Sequence, residues 1–186
     1  MNENADRTLV LLRHAKSAWP DVPDHERPLA RRGRRDAPVM GHWLRAAGYV
    51  PDLVLCSTAR RARETWQLAQ AGLGAAPPVS FSDRVYEAAP ADLIGLARHT
   101  ASSVRALLIV GHNPAIQELA LDLAGGASGA AEAETLDRMR AKFPTAAIAA
   151  LDVTASWAGL GRGSARLACF ATPREISAER PPPAST

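Results

Sequence analysis

The sequence has few cysteines, few aromatic residues and no long apolar run. Its two cysteines, Cys56 and Cys169, lie far apart, so neither a metal-binding cysteine pair nor a disulfide framework is expected, and both read as core thiols. At 5% aromatic content, the chain lacks the interleaved aromatics of a nucleic-acid-binding surface. No stretch reaches the roughly 18 apolar residues of a membrane span. We therefore expect no nucleic-acid partner and no membrane association.

What the chain does contain is the composition of an ordinary globular protein. Of its 186 residues, 47% are hydrophobic and 22% are charged, which suits one packed domain. We place that domain at residues 1–176. The closing PREISAERPPPAST reads as disordered, with the tail proper at residues 177–186. Because the opening MNENADRTLV is polar and acidic, unlike a signal peptide, a cytoplasmic location is expected.

Apolar runs alternate with segments of helical periodicity along the chain. The runs predict strands at residues 8–14, 52–56, 79–82, 106–111, 146–153 and 165–171. Helix signals predict a helix that stops at Gly48, one that starts near a capping Ser57 or Thr58, one over 90–99, one with Pro114 in its first turn, and one ending near Lys142. A glycine- and alanine-rich loop is expected at residues 125–133, where it could form a partial lid. Strands alternating with helices indicate an α/β fold, a three-layer α/β/α sandwich around a mostly parallel sheet.

Charged side chains follow these strands where the strands end. Arg13 and His14 end the first run, Arg61 follows the second, and His112 follows the strand that ends at Gly111. In open α/β sheets, ligands bind at the carboxyl ends of the strands. Several cationic groups in one crevice repel each other unless an anion neutralises them. The pattern therefore indicates a phosphoryl site.

Arginine supplies nearly all the positive charge, and it is concentrated in RRGRR (residues 31–35) and RRAR (residues 60–63). The planar guanidinium matches phosphate oxygens, so either cluster could bind phosphate. A solvated helix face is the alternative, and it is the favoured interpretation for the first cluster but not for the second.

Three motifs in order resemble those of the histidine phosphatase superfamily. LLRHAKSAW resembles its RHG signature, STARRARET its second-arginine motif and VGHNP its second-histidine motif. The intervening DHERPLARRG and the short chain without a large cap are similar to the small phosphohistidine phosphatase (SixA-type) branch. The resemblance covers roughly residues 8–171 and implies a phosphoglycerate mutase-like fold. Ala15 departs from the family, which more often has glycine there.

The resemblance implies a covalent mechanism without metal or cofactor. His14 would be the nucleophile and become a phosphohistidine, while Arg13, Arg61 and His112 would bind the phosphoryl oxygens. Arg61 matches the family's RA step better than its arginine neighbours do. With an ordinary pKa of about 6.5, a histidine can be a neutral nucleophile, its second ring nitrogen donating to a backbone carbonyl. The arginines and a protonated histidine would then supply the charge that Mg²⁺ provides elsewhere.

Four further residues have two interpretations each. Glu87 is placed like the family's proton donor, but it could be a surface carboxylate or pair with Arg84. Ser17 could approach the phosphate or serve only a local turn. Arg27 and His25 could contact substrate from the loop after the nucleophile, or be solvated there.

Asn113 precedes a helix, and we interpret it as that helix's cap.

Three functions are compatible with these motifs and candidate site residues. The first is a phosphatase acting on phosphohistidine or phosphomonoesters, whose partner would be a phosphorylated small molecule or a phosphohistidine-bearing protein. The second is a non-catalytic phosphate- or phosphoprotein-binding module, which the presence of a complete set of site residues disfavours. The third is a phosphomutase, for which the chain looks too short.

Overall fold

A computed structural model describes residues 7–127 and 129–179. The strands are β1 (Arg7–Arg13), β2 (Leu53–Ser57), β3 (Val79–Ser82), β4 (Ala106–Gly111), β5 (Ile148–Val153) and β6 (Ala165–Ala171). The helices are α1 (Arg31–Ala46), α2 (Arg60–Leu73), α3 (Pro90–Arg98), α4 (Ala115–Ala124), α5 (Ala130–Ala141) and α6 (Pro173–Glu179). No helix in these ranges is long and apolar enough to cross a membrane.

The strands form one six-stranded sheet in the order β3-β2-β4-β1-β5-β6. Strands β3, β2, β4 and β1 are parallel neighbours, whereas β5 runs antiparallel to both β1 and β6. In the β1–β4 register, Arg13 is opposite Gly111. The residues that follow these two strands therefore emerge side by side at one edge of the sheet.

The two faces of the sheet belong to separate hydrophobic cores. Successive residues of β1 alternate between them, with Leu9 and Leu11 in one core and Val10 and Leu12 in the other. Helices α3, α4 and α5 contribute to the first core, and α1, α2 and α6 pack against the second. The three-layer α/β/α arrangement with a mostly parallel sheet is confirmed.

Helices α1 and α2 pack closely because small residues lie between them. A Cβ atom added to Gly41 would lie 1.9 Å from the carbonyl oxygen of Ala69. Glycine at this position therefore lets the two helix backbones approach more closely than any side chain would allow. That contact fixes α2, whose first turn carries Arg61.

Two predictions from composition were wrong in part. The stretch at residues 125–133 is not all loop, because α5 begins at Ala130; Ser128 lies outside the described residues. The segment from Pro173 is not wholly disordered, because α6 covers Pro173–Glu179 and Ile176 packs against the second core. Residues 180–186 lie outside the described residues, so the predicted disorder there and the domain limit at residue 176 stay predictions.

Candidate active site

Three neighbouring strands, β1, β4 and β2, deliver His14, His112 and Ser57 to one edge of the sheet. His14 and His112 each follow the last residue of their strand, and Ser57 is the last residue of β2. The His14 backbone N–H donates to the Gly111 carbonyl at 3.0 Å, which extends the sheet hydrogen bonding one step past the strands. The two imidazole rings lie with centroids 5.0 Å apart.

His14 is held as a neutral base with one ring nitrogen available. Its Nδ1 lies 2.8 Å from the carbonyl oxygen of Ala15. Because a carbonyl can only accept, Nδ1 carries the proton and Nε2 keeps its lone pair. Burial foremost, together with the nearby His112, Arg61 and Arg13, lowers the pKa of His14 to about 3, against the opposing hydrogen bond to Ala15. The expected backbone carbonyl partner is therefore present.

The loop that follows His14 is fixed to both neighbouring helices. The Ala15 N–H donates to the Thr65 hydroxyl at 2.9 Å, and that hydroxyl donates to the Arg61 carbonyl at 2.6 Å. On the other side, a Cβ atom on Gly33 would lie 2.2 Å from the Lys16 carbonyl oxygen. The loop that follows His14 and the first turn of α2 are thus joined through one threonine.

Arg61 is the arginine of its cluster that faces the histidines. Its side chain is buried, and its terminal nitrogens donate to the Asp24 carbonyl at 2.7 Å and to the Asp24 carboxylate at 3.0 Å. One of them also lies 3.4 Å from Nδ1 of His112. Its neighbour Arg60 instead pairs with Glu64 on the exposed side of α2, at 2.8 Å.

His112 is oriented by Ser57, a residue that the motifs did not single out. Its Nε2 lies 2.8 Å from the Ser57 hydroxyl. Since a guanidinium can only donate, Nδ1 facing Arg61 is the unprotonated nitrogen, and Nε2 donates to Ser57. Burial and the charge of Arg61 lower the pKa of His112 to about 4. The ring is therefore neutral in the free protein. A phosphoryl dianion beside it would raise its pKa again, so the protonated histidine expected in the transition state stays a prediction.

Arg13 presents a donor that lacks a partner. One terminal nitrogen donates to the Phe143 carbonyl at 2.6 Å, whereas its buried Nε has no hydrogen-bond partner among the described residues. A buried, unpaired donor is costly unless something accepts from it. An anionic oxygen in the crevice would satisfy this nitrogen.

Arg27 and Ser17 lie together in the loop that follows β1. Buried Arg27 donates to the Ser17 hydroxyl at 2.7 Å, to the Ala18 carbonyl at 3.0 Å and to the Asp24 carboxylate at 2.8 Å. Its guanidinium carbon also lies 3.2 Å from the ring centroid of Trp19, which is 77% exposed. The Ser17 hydroxyl is therefore engaged by Arg27.

Asp24 connects the two arginines and was missed from the sequence. Its carboxylate accepts from Arg27 and Arg61, and also from the Tyr86 hydroxyl at 2.7 Å. These hydrogen bonds, that of Tyr86 foremost, hold the pKa of Asp24 well below its usual range. The only sequence signal was an acidic residue in a loop near basic motifs, which does not distinguish it from a surface carboxylate.

Glu87 and His25 differ in how they are held. Glu87 is exposed and makes no hydrogen bond or ion pair with any described residue, Arg84 included. His25 lies 3.0 Å from the Thr58 hydroxyl and packs edge-on against Tyr86, with ring centroids 4.9 Å apart. The loop residue is therefore anchored at the site, and the acidic residue is not.

Two expected helix caps are not formed. Asn113 does not cap α4; its amide donates to the Gln117 side chain at 2.9 Å and more weakly to the Phe143 carbonyl. No hydroxyl caps α2, whose first residue is preceded by Ala59.

The RRGRR cluster is a solvent-exposed face of α1. Arg32 and Arg35 pair with Asp36, and Arg34 pairs with Glu64. The favoured interpretation of this cluster, a solvated helix face, is confirmed.

Comparison with known proteins agrees with the geometry. A sequence profile of the histidine phosphatase superfamily (branch 1) matches residues 9–109. The chain belongs to this superfamily, and the predicted resemblance and the assignment as a phosphatase are confirmed.

Individual relatives refine that placement. The chain is 46% identical over 164 residues to the uncharacterised Mycobacterium tuberculosis protein Rv1276c, covering 88% of this chain and 100% of the relative. A protein from Nakamurella multipartitia assigned as the phosphohistidine phosphatase SixA is 31% identical, with a TM-score of 0.78 over 90% of this chain and 96% of that chain. Another from Agrobacterium tumefaciens, assigned likewise, is 29% identical, with a TM-score of 0.70 over 90% and 98%. The fold is thus phosphoglycerate mutase-like, in its SixA-type form.

Proposed function

We propose that this protein is a metal-independent phosphatase that hydrolyses phosphohistidine or phosphomonoesters through a covalent phosphohistidine at His14. The observation that carries the proposal is the state of His14. Its Nδ1 proton is donated to the Ala15 carbonyl, its Nε2 keeps a lone pair, and the cationic Arg61 and Arg13 lie near the ring. A neutral ring nitrogen in that setting can attack phosphorus without a separate base.

Arg13 and Arg61 supply the charge that such a step needs. Arg13 has an unpaired buried Nε, and Arg61 lies within 3.4 Å of His112. Guanidinium groups fixed before the reaction stabilise the charge that develops on the phosphoryl oxygens. His112 becomes a further donor once a phosphoryl dianion raises its pKa and protonates Nδ1. These donors support the proposal that the protein's own side chains supply the positive charge that a metal ion provides in other phosphoryl-transfer sites.

The reaction has two displacements. In the first, Nε2 of His14 forms a bond to phosphorus, and the leaving atom departs with the electron pair of the broken bond and takes up a proton. In the second, water attacks the phosphohistidine, releasing inorganic phosphate and restoring His14. Both displacements use the same donors because the phosphoryl group stays between His14 and Arg61.

The favoured substrate is a phosphohistidine on another protein. Imidazole, with a pKa of about 6.5, is a much better leaving group than an alkoxide, so its departure makes a smaller demand on an acid. Two similar solved structures are assigned as phosphohistidine phosphatases, which supports the same substrate class. A cytoplasmic location stays a prediction.

Phosphate release by the purified protein tests the proposal. Wild type and His14→Ala are compared in the presence of EDTA on a phosphohistidine peptide, p-nitrophenyl phosphate and a sugar phosphate. We expect turnover with EDTA, loss of activity on the order of 10⁴-fold or more in the variant, and an acid-labile phosphoenzyme only in wild type. Equal turnover in the variant contradicts the nucleophile, dependence on added metal contradicts metal independence, and binding without turnover favours a binding module.

A further inference from the structure

His25, beside the site residues, is held by contacts at both ring nitrogens. Its Nδ1 lies 3.0 Å from the Glu26 carboxylate, and its Nε2 lies 3.0 Å from the Thr58 hydroxyl. Because a carboxylate can only accept, Nδ1 carries the proton that Glu26 accepts. Glu26 therefore orients the ring so that Nε2 faces Thr58.

His25 is the last of four neighbouring rings that begin at His14. Centroids lie 5.0 Å apart for His14 and His112, 5.5 Å for His112 and Tyr86, and 4.9 Å for Tyr86 and His25. Nε2 of His25 is directed at Thr58, which follows the last residue of β2. In an in-line displacement the leaving group lies on the side of phosphorus opposite the nucleophile. His25 lies beyond His112 in this row, where a leaving group directed away from His14 would extend.

The other acidic groups near the mouth are less suited to give a proton. Asp24 is an ionised carboxylate that accepts three side-chain hydrogen bonds, from Tyr86, Arg27 and Arg61. Glu87 is exposed and is not held in any direction by another described residue. His25 differs from both, because its ring is oriented by Glu26 and Thr58.

We propose that His25, oriented by Glu26, is the general acid that protonates the leaving group. As the bond from phosphorus to the leaving oxygen or nitrogen breaks, its electron pair stays on that atom, which takes a proton from Nε2 of the protonated His25 ring. Neutral His25 then removes a proton from the water that attacks the phosphohistidine, and so returns to its starting state. This inference rests on the proposed function, since it assigns the proton transfers of that reaction.

A leaving-group series tests the assignment. We would measure kcat/KM of wild type and His25→Gln on aryl phosphates of increasing phenol pKa, ending with an alkyl phosphate. We expect a loss of roughly 10²- to 10⁴-fold on the alkyl phosphate, the range typical of a general acid, shrinking steadily toward p-nitrophenyl phosphate, whose phenolate leaves with little help. An equal loss on every substrate, or no loss, overturns the proposal.

Glu87→Gln is the matched control, and it should show no loss that grows along the series. If Glu87→Gln shows that trend and His25→Gln does not, Glu87 is the proton donor and the inference is wrong. Glu26→Gln should show the same trend as His25→Gln, but more weakly, because the ring keeps its Thr58 contact.

Trapping of the phosphoenzyme separates this outcome from failure of the proposed function. His25→Gln should still form a phosphohistidine from p-nitrophenyl phosphate. A wild-type protein that forms none contradicts the covalent mechanism itself, whatever the series shows.

Discussion

The two sides of the active site are held in place by different interactions. On one side, His14 and His112 are positioned by backbone hydrogen bonds of adjacent parallel strands. On the other side, Asp24 and Arg27 are positioned mainly by side-chain hydrogen bonds and ion pairs between a loop, α2 and Tyr86. The first side, called the strand side below, depends on strand register, which single side-chain changes leave intact. The second, called the loop side below, depends on charge, so we expect it to respond to pH, salt and bound anions.

Arg61 belongs to both sides, because it contacts the Asp24 carboxylate and lies beside His112. Under the proposed function, a phosphoryl group at the site would compete with Asp24 for this arginine. Binding of substrate is therefore expected to rearrange the loop side while the strand side stays fixed. The following predictions test that contrast, in order of decreasing effect.

The largest effect is expected from Arg61→Ala. It removes a donor to the phosphoryl group and the loop's ion pair at once, so kcat/KM should fall by roughly 10²- to 10³-fold. Arg27→Ala, which affects the loop side alone, should cost about tenfold, close to the contribution of one charge-assisted hydrogen bond. Steady-state kinetics on one substrate measure both. Arg60→Ala is the matched control, and a loss equal to that of Arg61→Ala would contradict the assignment.

The strand side should also control how stability depends on pH. His14 and His112 have pKa values of about 3 and about 4 in the folded protein, below the ordinary value near 6.5 of an unfolded chain. Between these values the unfolded state binds more protons than the folded state does. The contribution of the two neutral histidines to the free energy of unfolding is therefore complete above about pH 6.5 and is lost as the pH falls. The loss approaches about 1.4 kcal/mol per pH unit for each histidine.

Urea unfolding of wild type and His14→Asn at pH 7, 6 and 5 measures this loss. The variant should show a shallower decline, because one buried neutral histidine is gone and the carboxylates common to both proteins cancel. An equal slope in the two proteins would contradict the neutral, buried state of His14.

A smaller effect is expected from Ser57→Ala. It leaves Nε2–H of His112 without its acceptor, which costs about 1 to 3 kcal/mol when the donor stays buried. Since water or a ring movement can recover part of that cost, we expect kcat to fall about tenfold while the KM changes little. Ser80→Ala, on exposed β3, serves as the control and should behave as wild type.

The smallest effect is expected from Trp19→Ala, at the outer end of the loop side. Stacking of Arg27 on this exposed ring contributes about 0.5 to 1 kcal/mol. The KM should therefore rise no more than about fivefold, and it should rise less at high salt if the loop side depends on charge. A fall in kcat that exceeds the rise in KM would show that the loop side also shapes the chemical step.

The sequence predicted the strand side better than the loop side, and the reason is physical. An apolar run followed by a charged or titratable residue predicts both a strand and the point at which that side chain leaves the sheet, as for His14 and His112. Asp24 and Tyr86 have no such signal, because their contacts depend on the path of a loop and on residues distant in sequence. Ser57 does end a strand, but a hydroxyl before a helix is interpreted as a cap. The neutral state of His112 likewise follows from burial that only the fold reveals.

One missed element did carry a signal. Helix α6 begins after Thr172, which accepts from the Glu175 backbone while the Glu175 side chain accepts from the Thr172 backbone. This reciprocal pair is a capping box, and its threonine and glutamate three residues apart were readable in TPRE. The proline-rich composition of the segment as a whole outweighed that local pattern.

The hydroxyl of Thr65 couples the positions of His14 and Arg61. It accepts from the Ala15 backbone and donates to the backbone of Arg61, so two hydrogen bonds of one side chain set the spacing between the two segments. The geometry in which His14 faces a bound anion is therefore tied to the geometry in which Arg61 does.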